Sequence, residues 1–199
     1  MHTPRFVRKI QAPLRSAVMA LGIDRHKHTE DRRVLEEEIF PYFVASSVCR
    51  NVLFVGCAWY TRGYNTVFKD KDYRTLERDP AENKYGAKRH IHDSLENVTR
   101  HVEAGSLDLI VCNGIFGWGL DDRPGVEKAF EGCYDSLNWG GILVLGWNDT
   151  PERCPFPLEE CRSLKSFQPF VFPPLAAAHY RVAGSSRHTY SFFVKRSPL

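Results

Sequence analysis

Gly56 and, about twenty residues on, Glu77 are the first positions whose types and spacing suggest chemistry. Each closes a short strand-forming run, Val52-Leu53-Phe54-Val55 before the glycine and Tyr73-Arg74-Thr75-Leu76 before the acid. Open parallel sheets bind ligands at the carboxyl ends of their strands. There a glycine turn admits close backbone approach, and a carboxylate accepts hydrogen bonds from both hydroxyls of a ribose. The pair points to a ribose-bearing cofactor held by the first two strands, without naming it.

Three later segments continue the order of strands and turns. They are His90-Ile91-His92-Asp93-Ser94-Leu95, Leu107-Asp108-Leu109-Ile110-Val111-Cys112-Asn113-Gly114-Ile115-Phe116, and the turn Leu137-Asn138-Trp139-Gly140-Gly141-Ile142-Leu143 entering a fifth strand. In order, over about residues 48 to 150, they resemble the class I S-adenosylmethionine-dependent methyltransferases. The resemblance implies a Rossmann-like α/β fold: a mostly parallel seven-stranded sheet of order 3-2-1-4-5-7-6, with helices on both faces and a closing β-hairpin. It also implies S-adenosylmethionine as cofactor. Gly56, Cys57, Ala58, Trp59 and Tyr60 would form the loop, Glu77 and Arg78 the ribose side. Asp93, Ser94 and Leu95 would take the adenine, and Asn113, Gly114 and Ile115 would lie under the sulfonium end.

The chain departs from the family pattern at the glycine-rich loop. Gly56 is present, but Ala58 and Tyr60 stand at the next two glycine positions, and Phe54 replaces an acid. Tyr60 cannot reach positive φ without strain. Either the loop follows another path, with Gly63 lending flexibility, or the amino-acid end of the cofactor is held differently. Tyr60 itself is expected to line that end. The same loss counts against a dinucleotide, whose pyrophosphate needs close backbone approach.

Candidates on the acceptor side come from two further segments. Gly114-Ile115-Phe116-Gly117-Trp118-Gly119-Leu120 makes a glycine-hinged aromatic loop, so Phe116 and Trp118 are expected to bind substrate. Trp147 and Asp149, at the end of the fifth strand, are expected to bind and deprotonate it respectively. His179 and His188 flank the last hairpin and titrate near neutrality, and His179 is taken as a second catalytic candidate. Methyl transfer from a sulfonium needs proximity, orientation and a base where the acceptor carries a proton. The strand-four motif of base and amide methyltransferases is absent, because Asn113 is followed by Gly-Ile-Phe.

The elements that position these residues are legible to different degrees. Strands are expected near 52–55, 73–77, 89–92, 107–112 and 141–147, with a hairpin of 178–183 and 189–195 in the tail. Helices are expected from Thr29 to about Phe43, over 81–86, over 93–103 and over 125–137, with a weak signal at 61–70. Pro41 argues for a break near the end of the first. Val126, Ala129, Phe130, Cys133 and Leu137 give the helix over 125–137 one apolar face.

With 199 residues, 43% hydrophobic and 26% charged, a single globular domain over 29–199 is expected behind a basic arm of residues 1–28. A net charge of +3 gives no reason to expect specific nucleic-acid binding. Six cysteines without a C-x-x-C pair suggest free thiols and a cytoplasmic protein. Neither His26 and His28 nor His90 and His92 has the partners a metal site needs, so no metal is expected. Residues 1–23 are basic and interleaved with apolar side chains, as in a segment resting on an anionic membrane surface. Three functions compete. The first is methylation of oxygen or nitrogen on a small-molecule acceptor in a biosynthetic pathway. The others are a non-catalytic nucleoside-binding regulatory domain, and a membrane-associated methyltransferase acting on a glycan or lipid precursor.

Overall fold

Alternation along each strand builds the molecule outward from one sheet. The computed structural model describes residues 29–184 and 187–197, so the basic arm expected over residues 1–28 lies outside the described residues. In β1 (Asn51–Val55), Leu53 and Val55 enter one hydrophobic cluster, and Val52 and Phe54 the other. Successive strand side chains leave opposite faces, and a strand covered on both sides can afford an uninterrupted apolar run.

Strands β2 (Asp72–Glu77), β3 (Arg89–His92) and β4 (Leu107–Asn113) extend the sheet in parallel, and β5 (Leu137–Asn148) runs parallel to β4. Two short strands, β6 (Gln168–Pro169) and β7 (His179–Arg181), pair antiparallel with β8 (His188–Val194), which itself lies antiparallel to β5. The order is β3-β2-β1-β4-β5-β8-β6, with β7 also beside β8. This is the expected arrangement with its sixth strand in two pieces. Pro169 has no N–H to extend the ladder. The chain then leaves the edge through Pro173 and Pro174, with Ala176 at φ 51°, and rejoins it where Ala178 accepts from the Phe192 amide.

One face is covered by α1, which spans residues 30–45. It is α-helical at Glu30–Val34, a π turn at Leu35–Ile39, and α-helical again at Phe40–Ala45. Pro41 therefore does not end the helix. The wider turn ahead of it, in which the Phe40 amide reaches Leu35, eases the clash that a proline ring makes with the preceding turn. Phe40 meets Phe54, Tyr64 and Phe68 edge to face at 4.8–6.3 Å between centroids. Tyr64 comes from α2 (Tyr64–Val67), a single turn.

The other face carries α3 (Arg123–Ser136), whose Val126, Ala129, Phe130 and Cys133 are fully buried. Asp122 caps it by accepting from the Gly125 amide at 2.9 Å. The helices expected over 81–86 and 93–103 are 3₁₀ turns instead, Pro80–Tyr85 and Leu95–Arg100. Strand β5 starts earlier than expected. Leu137 pairs with Leu107, residues 138–141 bulge with Gly140 at φ 87°, and pairing resumes at Ile142. Asp108 fastens this base of the sheet by accepting from the amides of Arg50 and Asn51 at 2.8 and 2.7 Å and from the Asn138 side chain.

Candidate functional site

The cleft at the carboxyl ends of β1 to β4 is built from the residues that the sequence singled out. Gly56 leaves β1 at φ 94°, and a Cβ there would lie 3.2 Å from both the Asn113 carbonyl oxygen and an Ile115 methyl. Glu77 ends β2 beside it. One carboxylate oxygen accepts from the Cys57 amide at 2.9 Å and the other from the Asp79 amide at 2.8 Å. Each oxygen keeps a lone pair, as two ribose hydroxyls require. Asp93 accepts from the Ser94 amide, the Asn97 side chain and His101 at 2.7–2.8 Å. These bonds, Asn97's first, hold its carboxyl well below the usual range, so it is an anion at neutral pH with one lone pair left for an amino group. Burial pushes the Cys57 thiol up to about 12, which leaves it no nucleophile there.

Gly56, Cys57, Tyr60, Glu77, Arg78, Asp93, Ser94, Leu95, Asn113, Gly114 and Ile115 all line this cavity of about 140 Å³. Ala58 and Trp59 do not, and Trp59 is exposed. The loop without its glycines has taken another path. Thr61 Oγ1 accepts from the Ala58 amide and donates to the Ala58 carbonyl, closing a 3₁₀ turn at Trp59–Thr61. Tyr60 therefore needs no positive φ, and its ring carries the Arg32 guanidinium 3.7 Å from its centroid.

A second cavity, of about 480 Å³, adjoins the first and shares Tyr60, Asn113, Gly114 and Trp118 with it. Its other walls come from the start of α1 (Asp31, Arg32), the end of β5 (Asn148) and the tail (Ala183, Gly184, His188). Trp118 donates through Nε1 to Asn148 at 3.2 Å and lies under the Arg153 guanidinium at 3.5 Å. Across the cleft, Arg78 donates to the Gly119 carbonyl at 2.8 Å, tying the loop after β4 to the end of β2. His188 donates from Nε2 to Asn113 Oδ1 at 3.2 Å. Burial lowers its pKa, against the opposing pull of the Asp31 carboxylate.

Several expected acceptor-side residues lie elsewhere. Phe116 is fully buried between Phe130, Trp147 and Phe156, so it is core. Trp147 and His179 line a different cavity of about 560 Å³, walled by Leu158, Phe167 and Phe193 of the cluster on the α3 side. Both bond Ser191 Oγ there, at 3.1 and 2.9 Å. Asp149 lines neither the cleft nor the cavity beside it. Its carboxylate pairs with the half-exposed Arg187 at 3.0 Å. His188 is the residue to read in place of these, and strand parity was the signal: it shares a face with Tyr190 and Phe192, against α1.

Among the described residues no three His, Cys, Asp or Glu side chains are grouped to hold a metal ion, and no helix is long and apolar enough to cross a membrane.

No family model matches the sequence, and no curated protein matches it. Solved structures do. The N-methyltransferase NodS from Bradyrhizobium japonicum WM9, in complex with S-adenosyl-l-homocysteine, superposes with a TM-score of 0.58 at 15% identity, over 92% of this chain and 99% of that one. A TehB-like SAM-dependent methyltransferase from Corynebacterium glutamicum ATCC 13032 gives 0.56 at 16%, over 95% and 100%. The CurJ carbon methyltransferase gives 0.59 at 13%, over 96% and 61%. The chain has the class I methyltransferase fold.

Proposed function

We propose that this chain binds S-adenosylmethionine in the strand-end cleft and methylates oxygen or nitrogen of a small-molecule acceptor, as one step of a biosynthetic pathway. The observation that carries the reading is the meeting of two cavities at Tyr60, Asn113, Gly114 and Trp118. One has a ribose-ready carboxylate, and the other is open and lined by polar and aromatic side chains. The residues fit the cofactor. Glu77 keeps acceptor capacity after its two backbone bonds, and Gly56, at φ 94° and with no side chain of its own, makes the turn that lines the cleft beside it. When bound, the cofactor supplies a methyl group on a positively charged sulfur. The protein's part is to hold Glu77, Asp93 and Asn113 at the carboxyl ends of β2, β3 and β4 and to aim an acceptor through the shared wall.

The cleft alone is smaller than the roughly 300 Å³ at which ligand pockets begin. Either the amino-acid end of the cofactor reaches past Tyr60, or Arg78 swings from Gly119 as the ligand enters. The same narrowness favours, as a second reading, a non-catalytic nucleoside-binding domain. The membrane-surface reading rests on residues 1–23, outside the described residues.

Titration calorimetry with S-adenosylmethionine and S-adenosylhomocysteine tests the proposal, with adenosine and methionine as controls. Binding of both cofactor forms is expected to exceed that of either fragment, and no heat from either form would sink it. Binding without release of adenosylhomocysteine across a panel of hydroxyl and amine compounds would favour the non-catalytic reading.

A further inference from the structure

Asn113 and His188 meet across a gap in the sheet. They belong to β4 and β8, on either side of β5, where Gly146 pairs with Asn113 on one side and with Tyr190, two residues from His188, on the other. A Cβ at Gly146 would run into Asn113 Oδ1 and lie 2.9 Å from both His188 Nε2 and a Tyr190 ring carbon. The missing side chain in the middle strand is what lets the outer two touch. A carbonyl oxygen can only accept, so the contact places the imidazole proton on Nε2. That leaves Nδ1 as the bare nitrogen. It has no hydrogen-bond partner among the described residues, yet it is not one of the sealed-in polar atoms, and His188 lines the cavity beside the cleft.

The charged and titratable groups around the ring are few. From α1 come Glu30, whose carboxylate is paired with Arg33, and Asp31 and Arg32. Arg32 is engaged with Glu36 at 3.3 Å and stacked on Tyr60. From β8 comes Tyr190, edge to face with the imidazole at 4.8 Å, whose hydroxyl donates to the Asp31 carbonyl at 2.8 Å and so pins the first turn of α1 over the tail. From β4 and β5 come only the neutral amides of Asn113 and Asn148. Burial favours the uncharged imidazole, while Asp31 stands near enough to stabilise the cation once a proton arrives.

We infer that His188 is the base of the acceptor cavity, its tautomer set by Asn113, and that the acceptor is a compound whose nucleophilic atom carries a proton, a hydroxyl or an amine rather than a thioether or tertiary amine. This rests on the methyl-transfer reading. The acceptor atom's lone pair takes the methyl group, the electrons of the broken carbon–sulfur bond remain on sulfur, and the acceptor's proton passes to His188 Nδ1 and then to water. Asn113 acts through His188 as a positioning residue.

The test uses the full chain labelled with ¹⁵N-histidine. Long-range proton–nitrogen spectra at pH 7, with and without S-adenosylhomocysteine, should show His188 neutral, protonated on Nε2 and bare on Nδ1. Asn113→Ala should lose the single-tautomer signature and give a mixture. Diethyl pyrocarbonate should modify His188 through the cavity, though more slowly than exposed His179 because His188 is 4% exposed. His188→Gln, which keeps a donor toward Asn113, should bind S-adenosylhomocysteine within about twofold of wild type, because the contact lies outside the ribose and adenine ends. An imidazolium at pH 7, a proton on Nδ1, or inertness to the reagent would each overturn the assignment. Failure of the methyl-transfer reading looks different: no cofactor heat, with the histidine signature intact.

Discussion

The two adjoining cavities are made in different ways. The cleft draws its walls from residues 55 to 120, each contributed by the end of one strand and the turn that follows it. The cavity beside it joins residues 29–32 to Ala183, Gly184 and His188, from opposite ends of the described chain, and borrows its shared wall from the middle. The first is a local product of strand ends, so any sequence that makes the parallel sheet makes most of it. The second exists only after the tail has paired with β5 and α1 has folded over it. Different contacts therefore hold each cavity, so the lining of one can change while the other persists.

The largest expected effect falls on the cleft. Glu77→Ala removes the carboxylate proposed to meet the ribose and the partners of the Cys57 and Asp79 amides. Loss of charge-assisted bonds from a desolvated site should cost about 2–4 kcal/mol of adenosylhomocysteine affinity. Glu77→Gln, which keeps one acceptor oxygen, should cost less. Wild-type affinity in the alanine variant, read by calorimetry, would remove the ribose role. The counterpart in the second cavity is Gly146→Ala. The added methyl would force Asn113 from His188 and press on Tyr190, destabilising the fold by about 1–3 kcal/mol as overpacking does. A denaturant midpoint equal to wild type would mean that the three side chains give way freely and that their contact is incidental.

The same contrast explains what the sequence disclosed. The strand-end placement of Glu77 and Asp93 was readable, because Glu77 closes β2 and Asp93 follows β3 directly, and a local pattern fixes a local position. Pro41 misled because a π turn absorbs it, and periodicity contains no warning of a widened turn. Phe116 was read as a substrate contact for its place in a glycine-rich loop. The loop folds back, Gly117 N–H to Leu120 carbonyl, and seats that ring in the core while Trp118 stays half exposed. His179 and His188 differ in a way that only pairing decides. They sit on adjacent antiparallel strands, but His179 bonds Ser191 toward one face and His188 meets Asn113 at the other. A strand's register sets which face each side chain takes, and register is a long-range property.

Trp118 belongs to both cavities, so it sharpens the comparison. Trp118→Ala removes the Asn148 bond and the Arg153 stack at once. Adenosylhomocysteine affinity should fall by about tenfold or less, because the adenine and ribose contacts remain and the lost pieces are worth about 1 kcal/mol. Acceptor-dependent turnover should fall further, since the indole is a wall of that cavity. Equal losses in both measurements would show one continuous pocket in place of two.

The smallest effect is expected at Asp149. Its position at the end of β5 made it an attractive base, yet its carboxylate is taken by Arg187 and its amide by the Arg187 carbonyl, a two-point turn outside both cavities. A partly exposed pair of this kind is worth about 0–1 kcal/mol. Asp149→Asn keeps an acceptor for Arg187 and should change neither cofactor affinity nor turnover by more than about twofold, with a thermal midpoint within a few degrees of wild type. Loss of turnover by a hundredfold with cofactor binding intact would restore Asp149 to the chemistry. It would also require the Arg187 pair to open during the reaction and the turn to swing inward, which would join the tail's hairpin to the acceptor cavity as a moving part rather than a fixed wall.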